Sequence, residues 1–220
     1  MSEPPPNPGG PQRSAGRDEI LAAATDLFGE SGYDGVSMSA IAQRAGISKA
    51  NVFHHFGSKD ALYLEVMRAA RAYFEPGTER LIEQNQDFGE QLRELIGRDF
   101  ARMREHPDLA RLILREILES GPSRGQALAS EVFGEHFAEL TGLFEQAQRQ
   151  GGLARDIPPA LIATLAIACN TMLFQSQHLL RHLPGVDFVD DGERYATLVA
   201  RVLLDGLRDE QKDAEGESDA

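Results

Sequence analysis

The 220-residue chain has a single cysteine, Cys169, which excludes an internal disulfide framework. A lone thiol suits a reducing compartment, and its place in the apolar run LIATLAIACNTMLF marks it as a packed structural thiol. No uninterrupted apolar stretch of about 18 residues occurs, so no membrane span is expected. The opening MSEPPPNPGGPQRSAG lacks the apolar centre of a secretory leader, and the expected location is the cytoplasm. A basic surplus is missing too. The formal net charge is −13, and residues 1–60 carry five Lys and Arg against seven Asp and Glu. Any nucleic-acid contact must therefore rest on a few well-placed donors rather than on a broad positive face.

Reactive signatures are also absent. There is no Gly-rich phosphate loop, no H-E-x-x-H and no G-x-S-x-G, so an enzyme is not expected. His54 and His55 are adjacent, and neighbours on a helix point about 100° apart, which prevents chelation of one ion from one face. His178 and His182 share a helical face but lack an evident third ligand. No metal and no cofactor are expected.

Alternating β patterns and hairpin dipeptides are missing, whereas helical periodicity fills the chain, so the fold class is all-α. Residues 1–12 read as a disordered Pro/Gly-rich arm and 210–220 as a disordered acidic tail. Between them the spacing predicts about nine helices. The first covers 17–31, with Ile20, Ala23, Ala24, Leu27 and Phe28 on one stripe. Short helices follow over 38–45 and 49–55, opened by Ser37 and Ser48 and stopped by Gly46 and Gly57. A long fourth helix is expected over 59–84 after Ser58. A fifth ends at His106, a sixth runs from Pro107 to Ser120, a seventh reaches Gln150, an eighth reaches Leu183 and a ninth covers 191–208.

Two short helices joined at Gly46, the second opening on Ser-Lys, read as a helix-turn-helix within 13–60. Ile41, Ala42, Ala45, Ile47 and Val52 would pack the pair inward. Lys49, Asn51 and His55 would face out as donors, an arrangement that suits the major groove.

The run Phe28, Gly32-Tyr33, Ser37, Ile41-Ala42, Ala45-Gly46-Ile47-Ser48, Val52-Phe53-His54-His55-Phe56, Ser58-Lys59 and Leu62 resembles the N-terminal signature of TetR/AcrR transcriptional regulators. The resemblance implies a homodimer with one DNA-binding head per subunit, bound to a palindromic operator. It implies that residues 61–209 bind a small-molecule effector and dimerise through the last two long helices. It further implies that Ser48, Lys49, Ala50, Asn51, Phe53, His54 and His55 belong to the DNA-reading helix, that Ser37 and Arg44 meet phosphates, and that Lys59 anchors one. Phe53 and His55 stand where the family often has tyrosines, so Phe53 would pack on sugar or a thymine methyl.

Helices five to eight offer Phe100, Met103, Leu114, Ile117, Phe133, Phe137, Asn170, Phe174 and His178 as an effector site, and their mostly apolar character points to a mostly apolar effector. Arg115 is expected to pair with Glu119. Leu161, Leu165, Ala168, Met172, Gln175 and Leu179, with Tyr195, Leu198, Val202 and Leu203, would form the dimer face. The function expected is a ligand-responsive repressor. An activator or a constitutive DNA-binding protein without effector is the alternative, and an enzyme built on the C-terminal helices is a more distant one.

Overall fold

A computed structural model describes residues 11–74 and 87–206, with side chains from residue 16 onward. Among these residues every regular element is helical. The first helix, α1 (Pro11–Ser31), begins before the expected residue 17, and its first turn takes in the last two residues of the expected arm. It closes at Gly32, whose left-handed φ of 68° lets its N–H donate to the Phe28 carbonyl at 2.9 Å. Serines open the next three helices. Ser37 caps α2 (Met38–Arg44), Ser48 caps α3 (Lys49–Phe56) and Ser58 caps α4 (Lys59–Ala72). Each hydroxyl accepts the backbone N–H three residues on, at 3.1, 3.2 and 3.0 Å, and each such cap is worth about 1 kcal/mol.

The remaining helices are α5 (Phe88–Glu105), α6 (Pro107–Glu119), α7 (Pro122–Leu128), α8 (Gly134–Arg149), α9 (Pro159–Leu180) and α10 (Gly192–Gly206). Asp87 caps α5 by accepting from the Gly89 N–H at 3.0 Å. The single helix expected to reach Gln150 is instead interrupted. One π-helical turn, Ala129–Phe133, joins α7 to α8. Its physical basis is Gly134, where a Cβ would stand 2.5 Å from the Ala129 carbonyl oxygen.

Two apolar cores result. The first gathers Ile20, Ala24 and Phe28 of α1, Ile41 of α2, Val52 of α3, and Leu62, Val66 and Ala70 of α4. It also takes in Leu112, Leu128 and Val132, so α6, α7 and the π turn close over the N-terminal helices. The expected division near residue 60 thus falls at the start of α4, a helix whose inner face is shared with the head. The second core lies among α5, α6, α8, α9 and α10.

The rest of the expected fourth helix, most of the N-terminal arm and the acidic tail lie outside the described residues. Although no uninterrupted apolar run occurs, α9 has a mean hydropathy of 1.3 over 18 residues and is by length and composition long enough to cross a membrane. Here its Ile162, Ala163, Ala166, Asn170, Leu173 and Phe174 pack inside the body.

Candidate functional site

The surface of α3 follows from its period. Val52 and Phe56, one turn apart, are buried and hold the helix to the head. The opposite face leaves Lys49, Ala50, Asn51, Phe53 and His54 exposed, with Ser48 at its N-terminus. Phe53 is 42% exposed, an uncommon position for a large apolar ring, and the Lys49 ammonium lies 5.8 Å from its centroid. His55 is turned partly inward and lies beside the His54 and Phe56 rings. Two cations expected to meet phosphate already have protein partners. Arg44 reaches the Glu30 and Asp26 carboxylates of α1 at 3.4 and 3.8 Å. These pairs are exposed, and such pairs are worth at most about 1 kcal/mol. Lys59 places its ammonium 4.1 Å from the centroid of the Tyr33 ring.

Tyr33 begins a polar connection from the head into the body. Its hydroxyl donates to Asp60, and burial together with that bond pushes its pKa up to about 12. The Arg124 guanidinium of α7 lies 4.5 Å from the same ring. Arg124 also donates to Glu116 of α6 at 2.5 Å, and Tyr63 of α4 donates to the other Glu116 oxygen at 2.7 Å. Glu116 is only 2% exposed. Burial opposes the charge on Arg124, but the bond to Glu116 outweighs it and holds the guanidinium above its ordinary range. The expected Arg115–Glu119 pair is replaced by a bond from Arg115 to the Gly29 carbonyl at 3.1 Å, because α6 lies against the end of α1.

Next to this junction lies a cavity of about 400 Å³, a size suited to a small organic molecule. Of the residues expected there, Met103, Leu114, Ile117, Phe133, Phe137 and Asn170 line it. Three others do not. Phe100 points to the second core, 5.0 Å from the Tyr195 ring, and Phe174 is buried in that core. His178 is exposed on the last turn of α9, where no buried wall reaches it. Asp99, Ile113, His136 and Thr171 line the cavity without having been singled out. Asp99 left one legible sign, since it falls on the inward stripe Leu92, Leu95, Ile96 and Met103 of α5.

Asn170 organises the polar corner of the cavity. Its amide donates to Asp99 at 2.7 Å and to the Ile96 carbonyl at 3.1 Å, and its oxygen accepts the Tyr195 hydroxyl at 3.0 Å. Burial raises the Asp99 carboxyl above the usual range, against the lowering effect of Asn170 and Arg102. Tyr195 is therefore committed to the interior and not to the outer face where it was expected.

That outer face is apolar. Leu161, Leu165, Ala168, Met172, Gln175 and Leu179 of α9 are all exposed, Met172 by 64%, and Val202 of α10 is 68% exposed. A shallower hollow between α9 and α10, walled by Cys169, Phe188 and Leu198, continues the face. Cys169 is half-buried, and burial raises its thiol pKa. Among the described residues no cluster of three His, Cys, Asp or Glu is placed to hold a metal ion.

A helix-turn-helix head sharing one core with a helical body, and a cavity behind that core, define a ligand-responsive DNA-binding regulator. Residues 20–66 match the family described as bacterial regulatory proteins, tetR family, and residues 89–200 match the tetracycline repressor-like C-terminal domain. The chain belongs to the tetR family. It is 28% identical over 196 residues to the HTH-type transcriptional repressor NicS of Pseudomonas putida, covering 87% of this chain and 92% of that one. It is 28% identical over 208 residues to the HTH-type transcriptional regulator RutR of Escherichia coli, covering 89% and 92%. The HTH-type transcriptional activator FasR of Mycolicibacterium smegmatis is 29% identical over 155 residues, 69% of each chain. The fold is that of the transcriptional regulator FadR from Bacillus subtilis, solved in complex with stearoyl-CoA, with a TM-score of 0.70 at 18% identity over 87% of this chain and 99% of that one.

Proposed function

We propose that the protein is a homodimeric transcriptional repressor, released from a palindromic operator by a small, mostly apolar effector. The observation that carries this reading is the shared core. Leu112 and Leu128 pack into the head while their neighbours Ile113 and Ala129 line the cavity, so a molecule in the cavity touches the elements that seat the head. In the proposed contact, Lys49, Ala50, Asn51 and His54 address base edges or nearby phosphates, and Phe53 packs on sugar or a thymine methyl. Ser37, Ser48, Arg44, His55 and Lys59 hold the backbone. Arg44 would exchange its exposed carboxylate partners for phosphate.

The apolar stripe of α9 with Val202 of α10 supports pairing of two copies through these helices, because a stripe of this kind is costly to leave in water. Pairing would hold two α3 helices about one DNA turn apart or a multiple of it. The effector binds the spacing that DNA does not, and by linkage the operator weakens the effector by the same factor. A regulator with these partners acts on the chromosome, so the proposed location is the cytoplasm. Activation is the second reading, favoured by the similarity to the activator FasR.

Selection of bound duplexes from a random DNA pool at about 0.15 M salt tests the reading. The expected result is one enriched palindrome and a dimer in sedimentation that Met172→Glu disrupts. A folded protein that enriches no sequence would overturn it. Placing the palindrome over a promoter in a transcription assay then separates repression from activation.

A further inference from the structure

The cavity has one acidic group in a mostly apolar wall, beside the neutral polar groups of Ser120, Asn170 and Thr171 and the His136 ring. Among the described residues no lysine or arginine lines it, and Asp99 is the one carboxylate. We infer that the cavity selects a lipophilic amine, whose apolar part fills the space between α6 and α8 and whose protonated nitrogen sits on Asp99. This rests on reading the cavity as the effector site.

The polar groups beside Asp99 are already used. Asn170 spends its amide hydrogens on Ile96 and Asp99 and its oxygen on Tyr195. It therefore fixes one Asp99 oxygen and has little left for a ligand. The other Asp99 oxygen receives no hydrogen bond from the described residues. Arg102, one turn further along α5, influences Asp99 electrostatically but forms no ion pair with it among the described residues. His136, the other titratable wall group, has its Nδ1 3.9 Å from the Glu139 carboxylate.

Asp99 is thus an acceptor with spare capacity, half-buried and open to the cavity. An ammonium placed there donates to the open oxygen and neutralises a charge held in apolar surroundings, the arrangement in which charge-assisted bonds are strongest. A carboxylate ligand meets the opposite situation. It finds no lysine or arginine among the described lining residues and is repelled by Asp99. A purely apolar ligand fills the space but leaves the carboxylate unpaired.

Titration calorimetry of the full-length protein with n-decylamine, n-decanol and n-decanoate holds chain length constant and varies only the head group. Decylamine is expected to bind about ten- to a hundredfold more tightly than decanol, with decanoate weakest and one molecule bound per chain. Asp99→Asn is expected to erase the amine preference and leave decanol binding unchanged. Retention of the preference in that variant would place the amine elsewhere on the acidic surface and overturn the inference. Equal or tighter binding of decanol or decanoate by the wild type overturns the amine class but leaves the effector cavity standing. Binding of none of the three by folded protein overturns both. If the variant does not fold, competition decides: decanol is expected to displace the single bound decylamine from the wild type, and decylamine that decanol does not displace overturns the inference.

Discussion

The Tyr63 hydroxyl of α4 donates to the Glu116 carboxylate of α6 at 2.7 Å, and this bond spans the junction between the DNA-reading head and the cavity-bearing body. Around it the contacts are continuous. Arg124 reaches from Glu116 to the Tyr33 ring, and Lys59 stands over the same ring. Arg124 lies between Ser120 and Gly125, which line the cavity. The proposed phosphate anchor and the cavity wall are therefore joined through the Tyr33 ring and Arg124, which the buried Glu116 carboxylate holds in place.

Removing a single partner from that carboxylate should be costly. Arg124→Met takes the guanidinium from the buried Glu116 carboxylate, leaving it the Tyr63 hydroxyl, and is expected to lower unfolding free energy by about 3 kcal/mol. Adding Glu116→Gln should recover most of the loss, because the stranded charge is gone. Urea unfolding of the four proteins measures the coupling. Strictly additive effects would show that the pair does not act as a unit.

Lys59 and Arg44 should separate in their effect on DNA. Lys59→Ala is expected to weaken binding to all duplexes alike and to reduce the salt slope by about one. Arg44→Ala should change the slope less, since that charge is shared with Asp26 and Glu30. Affinities measured over a salt series, on specific and scrambled duplexes, give both slopes. An unchanged slope for Lys59→Ala removes it from the contact.

Gly134 offers a test by sign. An alanine in place of glycine within a helix ordinarily stabilises by about 0.5–1 kcal/mol. Here the added Cβ meets the Ala129 carbonyl. Gly134→Ala is expected instead to cost about 1–3 kcal/mol, as overpacking does, and to move Phe133 and Phe137 on the cavity wall. Thermal unfolding reads the sign directly, and a raised Tm contradicts the account of the π turn.

Asp99 should make stability depend on pH. Its folded-state pKa is raised, so the folded protein holds this proton more tightly than the unfolded chain does. The stabilising contribution is complete below the ordinary value of 3.8 and is lost as pH rises through the folded-state value. Asp99→Asn, neutral throughout, should melt above the wild type at about pH 7, with a gap that narrows as pH falls toward 4. A gap independent of pH would mean that the carboxylate is not held in apolar surroundings.

Local chemistry made the head legible in advance. A serine that caps the N–H three residues on and a glycine that ends a helix act over one turn of chain, so Ser37, Ser48, Ser58, Gly46 and Gly57 marked α2, α3 and α4. On α3 the inward Val52 and the outward Lys49 and Asn51 are as expected, whereas His55, expected outward, is turned partly inward. Leu161, Leu165, Met172 and Leu179 of α9, expected on one outer face, are exposed.

The cavity could not be read in the same way. Helix α9 is apolar nearly all round, so its period does not say which apolar residue meets a cavity, a core or water. Phe174 and His178 were misplaced for that reason, and Phe100 and Tyr195 because a ring facing inward is the same in sequence whether it lines a cavity or packs on another ring. The partners of Asp99, Glu116 and Arg124 were hidden, since a charged residue gives no local sign of a partner on another helix. By itself the sequence determined the all-helical class, the serine caps of α2, α3 and α4 and the family, all set by patterns within a few residues. Only the tertiary structure decided which charges are buried, which partners hold them and where the cavity lies, because those depend on contacts between helices far apart along the chain.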